Sequence, residues 1–86
     1  MELSLPGVNS LKEKRRIIKS LMKQAQNDFN ISIAEVDSND NHRHAIIGAA
    51  VVSNNRSFCD QVTSKLMDKI DRNPEVTLID YYTESY

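Results

Sequence analysis

Five basic residues, Lys12, Arg15, Arg16, Lys19 and Lys23, recur at spacings of one, three and four. At about 100° per residue, that spacing gathers them on one side of a helix. With Lys12 as origin, Lys19 and Lys23 fall within about 20° of it, Arg16 about 40° to one side and Arg15 about 60° to the other. Leu11, Ile17, Ile18, Leu21, Met22 and Ala25 occupy a sector nearly opposite, so the cations form a ridge turned away from a core. The chemistry open to such a ridge is electrostatic: it can grip phosphates or an acidic protein surface. Glu13 is the single acid in the first four turns, where a helix built for solubility alone would alternate signs at i, i+4. Several cations also sit near the helix N-terminus, where the backbone dipole disfavours them. The competing reading is a solvated helix face. Lys14 departs from the pattern: it falls in the apolar sector and must reach past a sheet edge or extend its ammonium to water.

Other reactive side chains are scattered. His42-Arg43-His44 follows Asp37 and Asp40, and two histidines flanking one residue share a side of an extended chain. No third ligand is fixed by the spacing, so these read as polar loop residues rather than a metal site. Cys59 falls in the apolar stripe of a second helix and reads as a small core residue. Ser57 and Ser64 are ordinary helix positions with no histidine placed to activate them. Tyr81 and Tyr82 adjoin on the last strand, one expected half-buried and one exposed. The helix start behind Pro6-Gly7 is a possible phosphate seat. No catalytic group, metal ligand or cofactor is expected.

The elements that position these groups follow from periodicity. Residues 2–5 alternate as a half-buried strand, and Pro6-Gly7 marks a turn. Ser10-Leu11-Lys12-Glu13 fits a capping box that opens a helix running to about Asp28, with Phe29 extending its apolar sector. Residues 31–36 form a β-branched strand, 37–41 a polar loop, and 45–52 the most apolar strand, suited to a sheet centre. Ser53-Asn54-Asn55 offers caps for a second helix to about Arg72, with Phe58, Cys59, Val62, Leu66 and Ile70 as its stripe. Asn73-Pro74 stops it, 76–82 is the last strand, and 83–86 is a frayed tail.

The order β-α-β-β-α-β predicts an α+β, ferredoxin-like fold: a four-stranded antiparallel sheet, order 4-1-3-2, with both helices on one face. The other sheet face is then solvated or covered by another chain. If Ile47, Ala49 and Val51 face the helices, Ile46, Gly48, Ala50 and Val52 face outward as a patch of small apolar side chains. Such a patch is expected to self-associate. The first strand, though central, has about five residues, so either the natural chain starts upstream of Met1 or a partner covers the gap.

Eighty-six residues make one domain spanning the whole chain, 1–86. No apolar run is long enough to cross a bilayer and no signal-peptide pattern is present, so no membrane partner and a cytoplasmic location are expected. One cysteine excludes an internal disulfide framework. The net charge of −1 hides segregation: residues 11–27 hold six basic groups against one acid, while 28–54 and 74–86 are both acidic.

The run Glu2-Leu3-Ser4-Leu5-Pro6-Gly7, followed by Ser10-Leu11-Lys12-Glu13-Lys14-Arg15-Arg16, resembles the YlxP-like family of small bacterial proteins. Further likeness lies in Asn30-Ile31-Ser32-Ile33-Ala34-Glu35-Val36, in residues 48–52 and in Asn73-Pro74-Glu75-Val76. The resemblance spans nearly the whole chain and implies a ferredoxin-like domain of unknown function. Family genes often neighbour those for translation initiation and ribosome maturation, which implies a ribosome-related role. Members usually carry residues ahead of the position of Glu2 that complete the first strand.

The leading expectation is a non-enzymatic accessory that meets ribosomal RNA or the ribosome through the basic helix. The alternative is a homo-oligomeric small-ligand-sensing or structural module, since a Pro-Gly turn between strand and helix resembles amino-acid sensors of the ACT type. Stacking of bases on the central strands is disfavoured, because residues 2–5 and 45–52 hold no aromatic side chain. Acylphosphatase-like and metal-chaperone activities are disfavoured, since the spacing places no Arg–Asn pair and a Cys-x-x-Cys motif is absent.

Overall fold

A computed structural model describes residues 1–37 and 40–84. Ser38 and Asn39 of the expected polar loop, and Ser85 and Tyr86 of the expected tail, lie outside the described residues. The elements are β1 (Glu2–Ser4), α1 (Leu11–Asp28), β2 (Ser32–Asp37), β3 (His44–Ala50), α2 (Arg56–Asp71) and β4 (Thr77–Asp80). They build one antiparallel sheet in the order β2-β3-β1-β4, the 4-1-3-2 arrangement of a ferredoxin-like α+β fold.

Local chemistry sets the element ends. Leu5 O accepts from Val8 N at 3.2 Å, closing the Pro6-Gly7 turn. Ser10 is extended (φ −152°, ψ 158°) and its Oγ accepts from Glu13 N at 3.1 Å, which caps α1. Of the three candidate caps for α2, Asn55 takes the role, accepting from Phe58 N at 3.1 Å, while Ser53 Oγ accepts from Asn55 N. After α2, Asn73 Oδ1 accepts from Glu75 N at 2.9 Å and bends the chain into β4.

The core is one cluster. Ile17, Ile18, Leu21 and Ala25 of α1 and Leu66 and Ile70 of α2 pack on Leu3, Leu5, Val8, Ala45, Ile47 and Val76. The alternation of β3 is as read from sequence: Ala45 and Ile47 point to the helices, leaving Ile46, Gly48 and Ala50 on the open face. Val52 lies past the strand end and is 93% exposed.

Ala49 departs from expectation. Its alternation aims it at the helices, yet it is exposed. The β1–β3 ladder supplies the reason. Met1 O accepts from Ile47 N at 2.8 Å and the Met1 ammonium donates to Ile47 O at 2.9 Å, and the ladder goes no further. Gly48, Ala49 and Ala50 therefore pair with β2 alone. Each edge strand carries a bulge. Glu35 and Asp37 pair with successive residues of β3, leaving Val36 as the extra residue, and Ile79 is extra where β4 meets β1.

The first turn of α2 also departs from its predicted stripe. Phe58 is exposed and Cys59 is half-buried, because an open groove separates this turn from the end of α1. There Phe58, Gln61, Val62 and Lys65 face Asp28, Phe29 and Asn30 across an open groove of about 220 Å³.

Candidate nucleic-acid interface

The capped start of α1 and its buried stripe fix the rotation of the helix. With Ile17, Ile18, Leu21 and Ala25 sealed against the sheet, Lys12, Arg15, Arg16, Lys19 and Lys23 all stand exposed on the far side. From Lys12 to Lys23 the ridge runs about 16 Å along the axis. Arg16 Nη2 lies 3.4 Å from Glu75 Oε2, with the two side chains 64% and 48% exposed. Among the described residues, Lys12, Arg15, Lys19 and Lys23 meet no carboxylate at ion-pair distance.

The second helix shows what a merely solvated face looks like. Along α2, Arg56, Lys65 and Lys69 are interspersed with Asp60, Asp68 and Asp71. Arg72 Nη2 pairs with Asp68 Oδ2 at 2.9 Å in i, i+4 register, and Lys69 pairs with Asp28. On α1, by contrast, no acid occurs between Glu13 and Asp28. The two helices share a layer and a burial pattern but differ in charge logic.

Lys14 neither reaches past a sheet edge nor extends to water. It is fully buried, and its Nζ lies 2.7 Å from Oε2 of Glu35, on the inward side of β2. The signal that could have found it is parity: Ile31, Ile33 and Glu35 share the inward side of one strand. A charge in the apolar sector of the helix and a charge on the inward side of the strand answer each other.

The start of α1 is less open to a phosphate than its sequence implies. Glu13 N is already bound to Ser10 Oγ, and Glu13 Oε2 accepts from Asn9 N at 3.4 Å. A second anion there would have to displace a carboxylate. Arg43 closes the same loop from the other side, its Nε donating to Val8 O at 3.0 Å and its Nη2 to Asn9 Oδ1 at 3.4 Å. Next to it lies an open groove of about 220 Å³, lined by Pro6, Gly7, Val8, Glu13, Ile17, Pro74 and Glu75. Its lining offers two carboxylates and no cation, a poor match for the carboxylate of an amino acid.

The remaining candidates are spread over the molecule. His44 Nε2 lies 2.6 Å from Glu2 Oε2, a cross-strand pair between β3 and β1. Among the described residues, no three His, Cys, Asp or Glu side chains gather closely enough to hold a metal ion. Tyr81 and Tyr82 both lie past β4 and are both exposed, at 56% and 82%; the expectation that one is half-buried fails because β4 ends at Asp80. No helix is long and apolar enough to cross a membrane among the described residues.

With this geometry in place, the chain can be set beside known proteins. Residues 1–83 match the family described as a protein of unknown function, DUF503. The chain belongs to the DUF503 family. It is also 36% identical over 75 residues to the uncharacterized protein YlxP of Bacillus subtilis (strain 168), covering 87% of this chain and 82% of that protein. The resemblance read from the Ser-Leu-Lys-Glu-Lys-Arg-Arg run is therefore a family relationship, and Lys12, Arg15 and Arg16 of this DUF503 chain lie within it.

Proposed function

We propose that this protein is a non-enzymatic accessory of the ribosome or its RNA, gripping phosphate backbone through the outer face of α1. The observation that carries this reading is the acid-free ridge: among the described residues, Arg16 alone of the five exposed cations meets a carboxylate, and that contact is exposed. Five phosphate contacts on a single strand give a log–log salt slope of roughly −3.5, about a hundredfold loss of affinity between 50 and 200 mM salt. That strength suits a backbone contact that positions the protein without reading sequence. Replacing Lys12, Arg15 and Lys19 with Glu should abolish co-sedimentation with ribosomes or RNA at low salt. Undiminished co-sedimentation rejects the proposal.

A second reading concerns the open sheet face and a second copy of this chain. Ala34, Ile46, Gly48 and Ala50 share that face, and the bulged Val36 leans over Gly48. A sheet of four strands at about 4.8 Å spacing and some 20 Å length offers roughly 400 Å². That falls short of the roughly 800 Å² per partner of a stable specific interface. The self-association should therefore be weak and dissociate on dilution. Analytical ultracentrifugation across a concentration series that shows monomer throughout removes this reading.

A further inference from the structure

The outer face of α1 carries more than charge. Ser20 and Gln24 lie one turn apart on its flank, both exposed, beside Arg16 and Lys23. Gln24 Nε2 donates to Ser20 Oγ at 3.1 Å. That bond leaves the Ser20 O–H as a donor and Gln24 Oε1 as an acceptor, side by side. A group that both accepts and donates, a hydroxyl, is the complement of this pair. Among the groups of a nucleic-acid backbone, the ribose 2′-hydroxyl has that character and deoxyribose has none. Gln26 and Asn27 continue the uncharged polar surface to the end of the helix, both exposed.

The form of the ligand follows from what the ridge lacks. Proteins that hold single strands combine cations with aromatic side chains on which bases stack. The outer face of α1, from Lys12 to Asn27, contains no aromatic residue. Among the described residues, the exposed aromatics Phe58, Tyr81 and Tyr82 lie on the first turn of α2 and past β4. A rigid row of cations without stacking platforms suits a ligand whose bases are turned inward. Arg15, Lys19 and Lys23 repeat at i, i+4, i+8, about 6 Å apart along the axis, a repeat close to that of successive phosphates on one strand. An RNA duplex presents phosphates and 2′-hydroxyls together across a wide, shallow minor groove that admits a helix face.

We infer that the outer face of α1 recognises double-helical RNA, its cations on the phosphates and the Ser20–Gln24 pair on a ribose 2′-hydroxyl. This rests on the phosphate-binding reading above and narrows it. Bases are not read, because nothing on the ridge reaches between strands. The pair acts as a discriminator of ribose from deoxyribose and the ridge as the source of affinity.

Fluorescence anisotropy with three labelled 16-mers of one sequence, at 50 and 200 mM salt, tests the inference: an RNA duplex, a DNA duplex and single-stranded RNA. The RNA duplex should bind most tightly, about fivefold better than the DNA duplex for one net hydroxyl contact. Ser20→Ala/Gln24→Ala should bring the RNA-to-DNA ratio to about one while the salt slope stays as in the unaltered protein. Alanine favours the helix, and matching thermal melts will verify that both proteins are folded. Equal affinity for RNA and DNA duplexes, a ratio unmoved by the double substitution, or tighter binding of the single strand overturns the inference while leaving backbone binding standing. Failure of all three probes to bind at 50 mM salt overturns the phosphate-binding reading with it.

Discussion

Lys14 of α1 and Glu35 of β2 meet at 2.7 Å, the lysine wholly shielded from water and the glutamate side chain 14% exposed. The pair ties the first turn of the basic helix to an edge strand, and so helps set the rotation that points the ridge outward. Leaving one buried charge without its partner is far costlier than burying neither. Lys14→Met should lower the unfolding free energy by about 3 kcal/mol, a large part of the roughly 5 kcal/mol expected for a domain this small. Lys14→Met/Glu35→Leu should recover all but about 1 kcal/mol of that loss. Urea titrations of the four proteins close the cycle. A double variant no steadier than the weaker single would show that the two side chains do not depend on each other.

Arg16 and Glu75 form the opposite kind of pair, 3.4 Å apart and largely solvated. Exposed pairs of this sort add little to stability. Their importance here is competitive, since Glu75 shields one cation of the ridge from an incoming phosphate. Glu75→Gln should leave the urea midpoint unchanged and raise affinity for duplex RNA about twofold at low salt. A fall in affinity would mean that Glu75 holds Arg16 in its binding position rather than screening it.

How much of this was legible in the sequence depends on the range of the interaction. The α1 ridge and its opposing stripe could be read because helical geometry alone relates Lys12 to Lys23 and Ile17 to Leu21. Strand order followed from element order, and the outward direction of Ile46 and Gly48 from strand alternation. Lys14 was not placed by its own helix's periodicity, because the partner that lets it stay buried lies on β2 and shows only when the parity of Glu35 is set beside it. Ala49 and Phe58 failed for a related reason. Periodicity says which way a side chain points, not whether a neighbouring element extends far enough to cover it. The bulges at Val36 and Ile79 belong to pairing between strands, which one strand's own pattern does not contain.

Gly48 is a place where the pairing between strands can be probed. A Cβ built there would stand 3.2 Å from Cγ1 and 3.8 Å from Cγ2 of Val36, both side-chain atoms of a residue 62% exposed. Val36 has open space in which to turn, and alanine reduces the freedom of the unfolded chain. Gly48→Ala should therefore change stability by less than about 1 kcal/mol, while Gly48→Leu, too large for Val36 to clear, should cost about 2 kcal/mol. Thermal melts check both. A loss from alanine as great as from leucine would mean that Val36 is held rigidly by the bulge.

Ser10 offers a test of what holds the ridge's first turn in place. Its Oγ accepts from Glu13 N at 3.1 Å, and Glu13 Oε2 in turn accepts from Asn9 N at 3.4 Å. The expected reciprocal box has shifted by one residue, with the acid reaching Asn9 in place of Ser10. The two bonds satisfy backbone donors at the point where Lys12, Arg15 and Arg16 enter the helix. Ser10→Ala removes the acceptor and should lower stability by about 1 kcal/mol, whereas Ser10→Gly, which keeps an extended cap open to water, should cost only a few tenths, about 0.3 kcal/mol. The ordering of the two variants in chemical denaturation is the decisive quantity. Should alanine prove as mild as glycine, the serine hydroxyl is not what caps α1, and the first turn is held instead by Glu13 and the packing of Val8 and Ile17 beneath it.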